Sequence, residues 1–381
     1  MSSSGESAKF ETLAVHSGAE PDAETGALAP PLHLSTTFRH SPDGVHAGEW
    51  LYQRSDNPTQ QRLETALATL EGAGRALFFS SGLAACSAAL HMLPAGGRVV
   101  VQSDCYNGLQ SLLRHQAGRW GWTLEMVDLV DLDIARQALS TPADLVWIET
   151  PSNPLLRIAD IAGVATLAHA AGARLLVDGT FASPALQSPL ALGADVVLHS
   201  ATKYMGGHSD VMGGVLAFAS EGAMARNAFH ARELIGLAAS PFNAWMVLRG
   251  LRSLSARMAA HCRGARAVAA YLSTHPAVER VHYPGLEDSQ WHALAARQMR
   301  DAGGMLSFQL GGGGAAALAV AGRLRLFINA TSLGGCESLV EHRRSVEGSH
   351  PRSPENLLRL SVGLEHPDDL IADLAQALDL A

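Results

Sequence analysis

Short apolar segments separated by alanine-rich stretches constrain the fold of this 381-residue chain more than any other feature. The segments GRVVVQ, ADLVWIET, ARLLVDG and ADVVLHS begin at residues 97, 143, 173 and 194, and each is long enough for one strand. Between them lie helical patterns such as IAGVATLAHAAG at 161–172. Strands without polar alternation need helices on both faces, so the pattern predicts an α/β fold with a mostly parallel central sheet.

The sequence predicts three regions that differ in composition and in their pattern of strands and helices. Residues 1–55 carry several prolines and short polar turns, which predict an N-terminal arm with little core of its own. Residues 56–240 contain the alternation of strands and helices. Residues 241–381 begin with one long helical pattern, with a kink expected at Gly250, and continue with two strands and a closing amphipathic helix. This last region predicts a smaller α+β domain.

Charge and cysteine content exclude several classes of protein. The net charge is −8 and the pI about 6.1, and no basic stripe predicts a nucleic-acid surface. The polar start and the lack of a long apolar stretch argue against a signal peptide and against a membrane span. The four cysteines are widely spaced and form no CxxC pair. We therefore expect a cytoplasmic protein with reduced thiols and no metal site.

Lys203 is one of only two lysines in the chain, and the remaining residues of the Lys and Arg types are arginines. It follows a predicted strand and lies close to Ser200 and Thr202. A lysine amine can lose its proton when it is buried, whereas a guanidinium stays charged. A neutral amine is a nucleophile that forms a Schiff base with an aldehyde, and nearby hydroxyls suit a phosphate. The alternative is a solvated surface lysine.

Two further strand ends indicate a phosphorylated ligand. In FFSSGLAACSAAL a strand passes through Ser80, Ser81 and Gly82 into a helix, whose N-terminus offers free N–H groups to an anion. The same residues are also typical of a simple helix cap. Asp178 ends a predicted buried strand and needs a cationic partner such as a pyridinium nitrogen, unless it merely caps the following turn.

Six motifs in order resemble the Cys/Met-metabolism family of pyridoxal-phosphate enzymes, which includes cystathionine γ-synthase, cystathionine γ- and β-lyases and methionine γ-lyase. The most specific is SATKYMGGHSDVMGG at 200–214. The others are YQRSDNPTQQRLE, ETPSNPLLRIADI, VDGTFASPALQSPLALGADVVLHS, SLGGCESL and LLRLSVGLE. The resemblance implies the fold type I of pyridoxal-phosphate-dependent transferases, which is similar to that of aspartate aminotransferase.

The resemblance also implies roles for individual residues. Lys203 would hold the cofactor and then move protons, and Tyr106 would stack on the ring and assist catalysis. The residues implied in cofactor binding are Lys203, Asp178, Ser81, Gly82, Leu83, Tyr106, Ser200, Thr202, Thr180, Tyr52 and Arg54. Those implied in substrate binding are Arg359, Asn153, Ser332, Leu333 and Glu337. Arg359 would clamp the α-carboxylate, although a surface salt bridge is its alternative.

The resemblance further implies a homotetramer built from two active dimers. Tyr52 and Arg54 would reach the cofactor phosphate of a neighbouring subunit. The ligands implied are small amino acids, with neither nucleic acid nor membrane as a partner.

Three positions depart from the family pattern. Gly179 stands where the family usually has Asn, beside Asp178. Leu51 replaces a residue that is often acidic in γ-synthases and γ-lyases. Arg343 and Arg344 lie in a shorter loop than is usual, where they either meet a distal substrate carboxylate or make surface ion pairs of little energetic value.

The resemblance predicts an enzyme that makes or breaks a C–S bond at Cγ or Cβ of a sulfur amino acid, of the cystathionine γ-synthase or γ-lyase type. A β-lyase or a methionine γ-lyase is the alternative that Leu51 favours. A non-catalytic protein that binds pyridoxal phosphate is a remote third hypothesis, against which the intact Lys203, Tyr106, Asp178 and Arg359 argue.

Overall fold

The computed structural model describes residues 8–44, 48, 50–348 and 351–379, so residues 1–7, 45–47 and 49 of the predicted arm lie outside the described residues. Twelve strands form two sheets in this part of the chain. The larger sheet contains β1 (Arg75–Phe79), β2 (Arg98–Gln102), β3 (Thr123–Val127), β4 (Leu145–Glu149), β5 (Arg174–Asp178), β6 (Val196–Ser200) and β7 (Gly214–Phe218). The smaller sheet contains β8 (Val278–His282), β9 (Met305–Leu310), β10 (Ile328–Asn329), β11 (Leu339–His342) and β12 (Leu357–Ser361).

The helices cover both sheets. They are α1 (Phe10–His16), α2 (Pro58–Glu71), α3 (Gly82–Leu90), α4 (Asn107–Trp120), α5 (Leu132–Ala138), α6 (Ile161–Ala170), α7 (Ser183–Leu186), α8 (Ala223–Ile235), α9 (Pro241–Leu251), α10 (Leu254–Thr274), α11 (His292–Gln298), α12 (Gly313–Arg323) and α13 (Pro367–Leu378). Short 3₁₀ turns occupy Pro189–Leu192 and Arg343–Val346.

The larger sheet has the strand order β1-β7-β6-β5-β4-β2-β3. Strands β2 to β6 pair in parallel, and β7 runs antiparallel to both of its neighbours. Consecutive residues of β4 point to opposite faces, as the pleat requires. Trp147 packs in a core with residues of α3 and α4, whereas Val146 and Ile148 pack with residues of α5 and α6. The prediction of a mostly parallel sheet with helices on both faces is confirmed.

Local sequence explains where α2 begins and ends. The Asn57 side chain accepts a hydrogen bond from the Thr59 N–H at 2.9 Å, and Pro58 stands at the first helical position, where its missing N–H leaves no bond unmade. Gly72 ends the helix with φ 66°, a left-handed conformation that glycine adopts without strain. An N-cap with proline at the start and a left-handed glycine at the end therefore set the bounds of α2.

The long helical pattern of the last region is divided into two helices, which corrects the expectation of one helix kinked at Gly250. α9 ends at Leu251 and α10 begins at Leu254, with the break at residues 252–253. Gly250 lies within α9, and a Cβ there would lie 2.2 Å from the Met205 carbonyl oxygen. The glycine thus serves a close approach of two backbones rather than a bend.

The smaller sheet has the order β10-β11-β12-β9-β8, and it is antiparallel except for the short β10–β11 pair. Helices α10, α12 and α13 pack their apolar side chains against it around Phe308, Leu358 and Leu360. Within the described residues, no helix is long and apolar enough to cross a membrane.

Candidate active site

A cavity of about 380 Å³ lies where the carboxyl ends of the parallel strands face the smaller sheet. Thirteen of the predicted site residues line it: Ser81, Gly82, Leu83, Tyr106, Asn153, Asp178, Thr180, Ser200, Thr202, Lys203, Ser332, Leu333 and Arg359. A second cavity of about 390 Å³ beside Trp291 contains none of the predicted residues. We therefore take the first cavity as the candidate active site, because the predicted polar residues converge there.

Lys203 lies in the turn that follows β6, and its Nζ donates a hydrogen bond to Ser332 Oγ at 2.7 Å. Burial lowers the pKa of the Lys203 amine to about 8, and the nearby positive charge of Arg359 acts in the same direction. An amine with this pKa is partly neutral near pH 7, as a nucleophile or a base must be. The surface alternative for Lys203 does not fit this partly buried position in the wall of the cavity.

The start of α3 forms an anion cradle. Ser81 caps the helix by accepting hydrogen bonds from the N–H groups of Ala84 (to Oγ, 3.1 Å) and Ala85 (to the carbonyl, 3.0 Å). The N–H groups of Gly82 and Leu83 belong to the first turn and have no acceptor within the helix. A Cβ on Gly82 would lie 3.1 Å from Ser200 Oγ, so this glycine lets the helix approach the end of β6. Free N–H groups beside a hydroxyl fit a phosphate.

Asp178 ends β5 and is oriented by Thr180, whose N–H and hydroxyl both donate to Oδ1, at 3.0 and 2.6 Å. Burial raises the pKa of Asp178, and Glu149, its register partner on β4, has a pKa raised well above the usual range by burial and by the Asp178 charge. Among the described residues, Oδ2 of Asp178 has no hydrogen-bond donor. A buried carboxylate with one free oxygen facing the cavity fits the cationic ring nitrogen of pyridoxal phosphate.

The orientation of Asp178 does not depend on the residue after it. Gly179 leaves room for the imidazole of His199, whose Cε1 would lie 3.0 Å from a Cβ at that position. Thr180 ties Asp178 to the next strand as well, because its Oγ1 accepts a hydrogen bond from the Ser200 N–H at 2.9 Å. The departure at Gly179 is therefore compatible with an ordered acidic partner for the cofactor.

Tyr106 precedes α4, and its ring is half exposed toward the cavity. Its N–H donates to Glu149 Oε2 at 2.7 Å, which fixes the backbone on which the ring is carried. A Cβ on Gly108 would lie 2.4 Å from the ring, so the glycine makes space for the ring. Burial raises the pKa of Tyr106, so the phenol keeps its proton near neutral pH.

Arg359 lies within β12 and is only 3% exposed. Its Nη1 donates to Asn153 Oδ1 at 3.1 Å, and its Nη2 donates to the Ser332 carbonyl oxygen at 3.0 Å. Ser332 holds φ at 105°, a strained conformation for a residue with a side chain, and it contacts Arg359 and Lys203 at once. The guanidinium is fixed beside the lysine, as a carboxylate clamp requires.

Three predicted residues do not line this cavity. Tyr52 is 44% exposed, and the Arg54 guanidinium stacks over its ring at 5.5 Å and donates to the Glu233 carbonyl oxygen at 2.8 Å. Glu337 instead accepts a hydrogen bond from the Ser209 hydroxyl. The cofactor role of the first two and the substrate role of the third therefore stay predictions.

Sequence reasoning assigned no role to Glu341 and left Arg343 with two alternatives. Arg343 lines the cavity, is 7% exposed and pairs with Glu341 at 2.7 Å, so the surface reading is wrong for this residue. Arg344 is exposed and donates to the Ser353 carbonyl oxygen. The available signal was Glu341 itself, a charged residue within the strand segment LVEH.

Comparison with known proteins gives matches over the whole described chain. Residues 11–379 match the family described as Cys/Met metabolism PLP-dependent enzyme. The chain is 46% identical over 373 residues to the cystathionine gamma-synthase of Mycobacterium tuberculosis, with 96% of each chain covered. It is 42% identical over 381 residues to the cystathionine gamma-lyase of Dictyostelium discoideum, with 97% of this chain and 98% of the relative covered.

A solved structure gives the same result for the fold. The cystathionine gamma synthase of Xanthomonas oryzae pv. oryzae, in complex with cystathionine, superposes with a TM-score of 0.95 and 41% identity over 98% of both chains. This likeness confirms the predicted fold type I with its mostly parallel sheet.

Proposed function

Because the chain belongs to the Cys/Met-metabolism family of PLP-dependent enzymes, we propose that it catalyses replacement at Cγ of an amino acid, in the manner of a cystathionine γ-synthase. The chain is an enzyme and pyridoxal phosphate is its cofactor, which excludes the non-catalytic hypothesis. The observation that carries the proposal is the partly buried Lys203 amine, with a pKa of about 8, in a cavity that also holds Asp178 and Arg359. The proposed substrates are an activated homoserine and cysteine.

Different residues of the cavity would hold different parts of the cofactor and the substrate. Asp178 would pair with the ring nitrogen, and the start of α3 with Ser200 and Thr202 would hold the phosphate. Arg359 would bind the α-carboxylate of the substrate and so fix the Cα–H bond relative to Lys203. Pyridoxal phosphate supplies an electron sink that makes the Cα hydrogen acidic.

Lys203 would move protons at two adjacent carbons. Departure of a leaving group from Cγ requires removal of a proton at Cα and then of one at Cβ, whereas departure from Cβ requires only the first. The lysine side chain has four methylene groups, so one Nζ can reach both carbons, and with a pKa of about 8 it can both take and return a proton near neutral pH. Tyr106, with its proton retained, would donate to the leaving group.

The second candidate is a C–S lyase of the β-lyase or methionine γ-lyase type, and Leu51 favours it because a leucine offers nothing to the distal amino group of cystathionine. Leu51 is 39% exposed and lies outside the cavity of its own chain. Synthase and lyase share their first steps, so the partition of the common intermediate decides between them.

A paired assay tests the proposal. Purified enzyme is given an activated homoserine with cysteine, and cystathionine is quantified; in parallel it is given cystathionine, and keto acids and thiols are quantified. The proposal expects cystathionine to form faster than it is consumed. Homocysteine and pyruvate from cystathionine would instead establish a β-lyase, and 2-oxobutanoate with cysteine a γ-lyase.

The two lysines of the chain provide a matched pair of variants. Lys203→Arg keeps the charge but removes the nucleophile, so turnover and the visible absorbance of the bound cofactor should both be lost. Lys9→Arg makes the same chemical change at an exposed position at the start of α1 and should leave both unchanged. Substantial turnover by Lys203→Arg would remove Lys203 from its assigned role.

We further propose a cytoplasmic homotetramer in which residues 1–55 contact a neighbouring subunit, with cofactor and C-terminal domains at 56–240 and 241–381. The support is that Tyr52 and Arg54 lie outside the cavity of their own chain. If they serve a neighbour, mixing inactive Lys203→Arg subunits with inactive Arg54→Ala subunits should restore part of the activity. Activity that stays absent after mixing would mean that Arg54 acts within its own chain.

A further inference from the structure

Three charged side chains form a cluster on one wall of the active-site cavity. Glu341 of β11 stands directly opposite Arg359 of β12 in the antiparallel register, and Arg343 begins the turn that follows β11. Their exposed fractions are 4%, 3% and 7%. One carboxylate oxygen, Glu341 Oε2, accepts from Arg343 Nη1 at 2.7 Å and lies 2.7 Å from Arg359 Nη2. A single carboxylate therefore bridges two guanidiniums.

The cluster carries one excess positive charge. Although burial raises the pKa of Glu341, the charges of Arg359 and Arg343 outweigh it and hold the pKa below the ordinary value, so Glu341 is ionised. Burial lowers the pKa of Arg359 to about 10, which still leaves it protonated at neutral pH. Two guanidiniums and one carboxylate leave a net charge of +1. A buried net charge is unfavourable unless a counter-ion compensates it.

The two arginines face the cavity and the glutamate does not. Arg343 and Arg359 both line it, whereas Glu341 lies behind them. The Nε atoms of both arginines are buried without a hydrogen-bond partner among the described residues. Without Arg343, Glu341 would neutralise Arg359 and leave a neutral pair, which attracts a carboxylate weakly.

We propose that Arg343 supplies the positive charge of the substrate-carboxylate site: Arg343 and Arg359, bridged by Glu341, bind the α-carboxylate of the amino-acid substrate together. The inference rests on the proposed function in that it assumes an amino-acid substrate at Lys203. The charge balance also selects the class of substrate. One carboxylate neutralises the cluster, whereas a second carboxylate beside it would leave a buried net charge of −1. Arg343 therefore serves the α-carboxylate, not a distal one.

Two small ligands separate this role from a structural one. Glycine has an amine and a carboxylate, whereas methylamine has the amine alone, and neither can undergo the replacement reaction. Binding of each to the holoenzyme is measured by calorimetry and by the absorbance change of the bound cofactor. For Arg343→Ala we expect glycine to bind about 10- to 100-fold more weakly, because the remaining Arg359–Glu341 pair is neutral and no longer attracts a carboxylate by its net charge. Methylamine binding should change by less than about twofold.

Restoring the charge balance should restore binding. In Arg343→Ala/Glu341→Gln the charge of the cluster returns to +1, and glycine affinity should recover to within about threefold of the wild type. Arg343→Gln keeps most of the side-chain volume and should weaken glycine binding as Arg343→Ala does. The matched control is Arg344→Ala, because its neighbour Arg344 is exposed and outside the cavity; its glycine affinity should be unchanged.

The outcomes are separable from those of the paired assay. Wild-type glycine affinity in Arg343→Ala and Arg343→Gln would overturn the inference, even if cystathionine is formed. A double variant no better than Arg343→Ala would also overturn it, because charge would then not be the cause. If the variants change glycine binding as expected but the wild type forms no cystathionine, the proposed reaction is refuted and the inference about the carboxylate site stands.

Discussion

Replacing Lys203 by methionine should make the cofactor-free protein more stable at pH 7, because the amine is buried against its own preference. The ordinary lysine pKa of 10.5 is lowered to about 8, with burial as the largest cause. Each pH unit of difference is worth about 1.4 kcal/mol, so the charged form destabilises the fold by roughly 3 kcal/mol. Methionine also removes the hydrogen bond to Ser332 Oγ, worth about 1 kcal/mol. The expected net gain is about 2 kcal/mol.

The sign of the pH dependence follows from proton linkage. Below pH 8 the amine is charged in both the folded and the unfolded protein, and the full penalty applies. Between pH 8 and 10.5 the folded protein binds fewer protons than the unfolded one, so the stability of the wild type rises with pH in that window. The advantage of the methionine variant should therefore shrink as the pH rises from 8 toward 10.

The assay is thermal unfolding of cofactor-free wild type and Lys203→Met at pH 7, 8, 9 and 10. We expect the midpoint of the variant to be higher by roughly 2–3 °C at pH 7 and the difference to narrow steadily above pH 8. Lys9→Met removes the other, exposed lysine and should show no such trend. A variant no more stable than the wild type at pH 7, or a gain independent of pH, would refute the reasoning.

Three other substitutions test the packing and the site. Gly250→Ala should destabilise the fold by about 1–3 kcal/mol, because its Cβ would lie 2.2 Å from a backbone oxygen. Gly322→Ala, in a helix with open space around it, should stabilise the fold slightly. Equal thermal-unfolding midpoints for the two variants would contradict this. Arg232→Met leaves Glu64 buried without its cation and should lower the free energy of unfolding by about 3–5 kcal/mol in denaturant titrations, so a loss below 1 kcal/mol would count against it. Arg359→Lys keeps the charge but loses the two-pronged donor, and KM should rise at least about tenfold with kcat less affected; an unchanged KM would place the carboxylate elsewhere.

The parallel sheet could be predicted because its strands carry their signal locally. The side chains of Val146, Trp147 and Ile148 are apolar and buried although they point alternately to the two faces of the sheet. Only a strand that is covered on both faces makes such a run stable. The polar residues that end these strands meet at one sheet edge by the geometry of parallel pairing. Asp178 and Lys203 could therefore be placed in one site without any knowledge of tertiary contacts.

The wall opposite that edge was harder to predict, because it depends on contacts between distant segments. Glu341 meets Arg359 only through the antiparallel register of β11 and β12, and no local pattern in either strand specifies that register. The sequence around Arg343 is polar and typical of a surface loop, and only the tertiary structure shows that Arg343 lines the cavity. The position of the break at residues 252–253 is equally hard to predict, since Gly250, the residue that suggests a bend, instead allows a close approach of the Met205 backbone.

Ser332 makes the two chemical centres of the cavity mechanically interdependent. Its hydroxyl accepts from the Lys203 amine, 129 positions away in the chain, while its carbonyl accepts from Arg359. One residue in a strained backbone conformation therefore contacts both the amine and the guanidinium. A carboxylate that draws the guanidinium away from that carbonyl would therefore remove one of the two contacts of Ser332, the residue that also accepts from the amine.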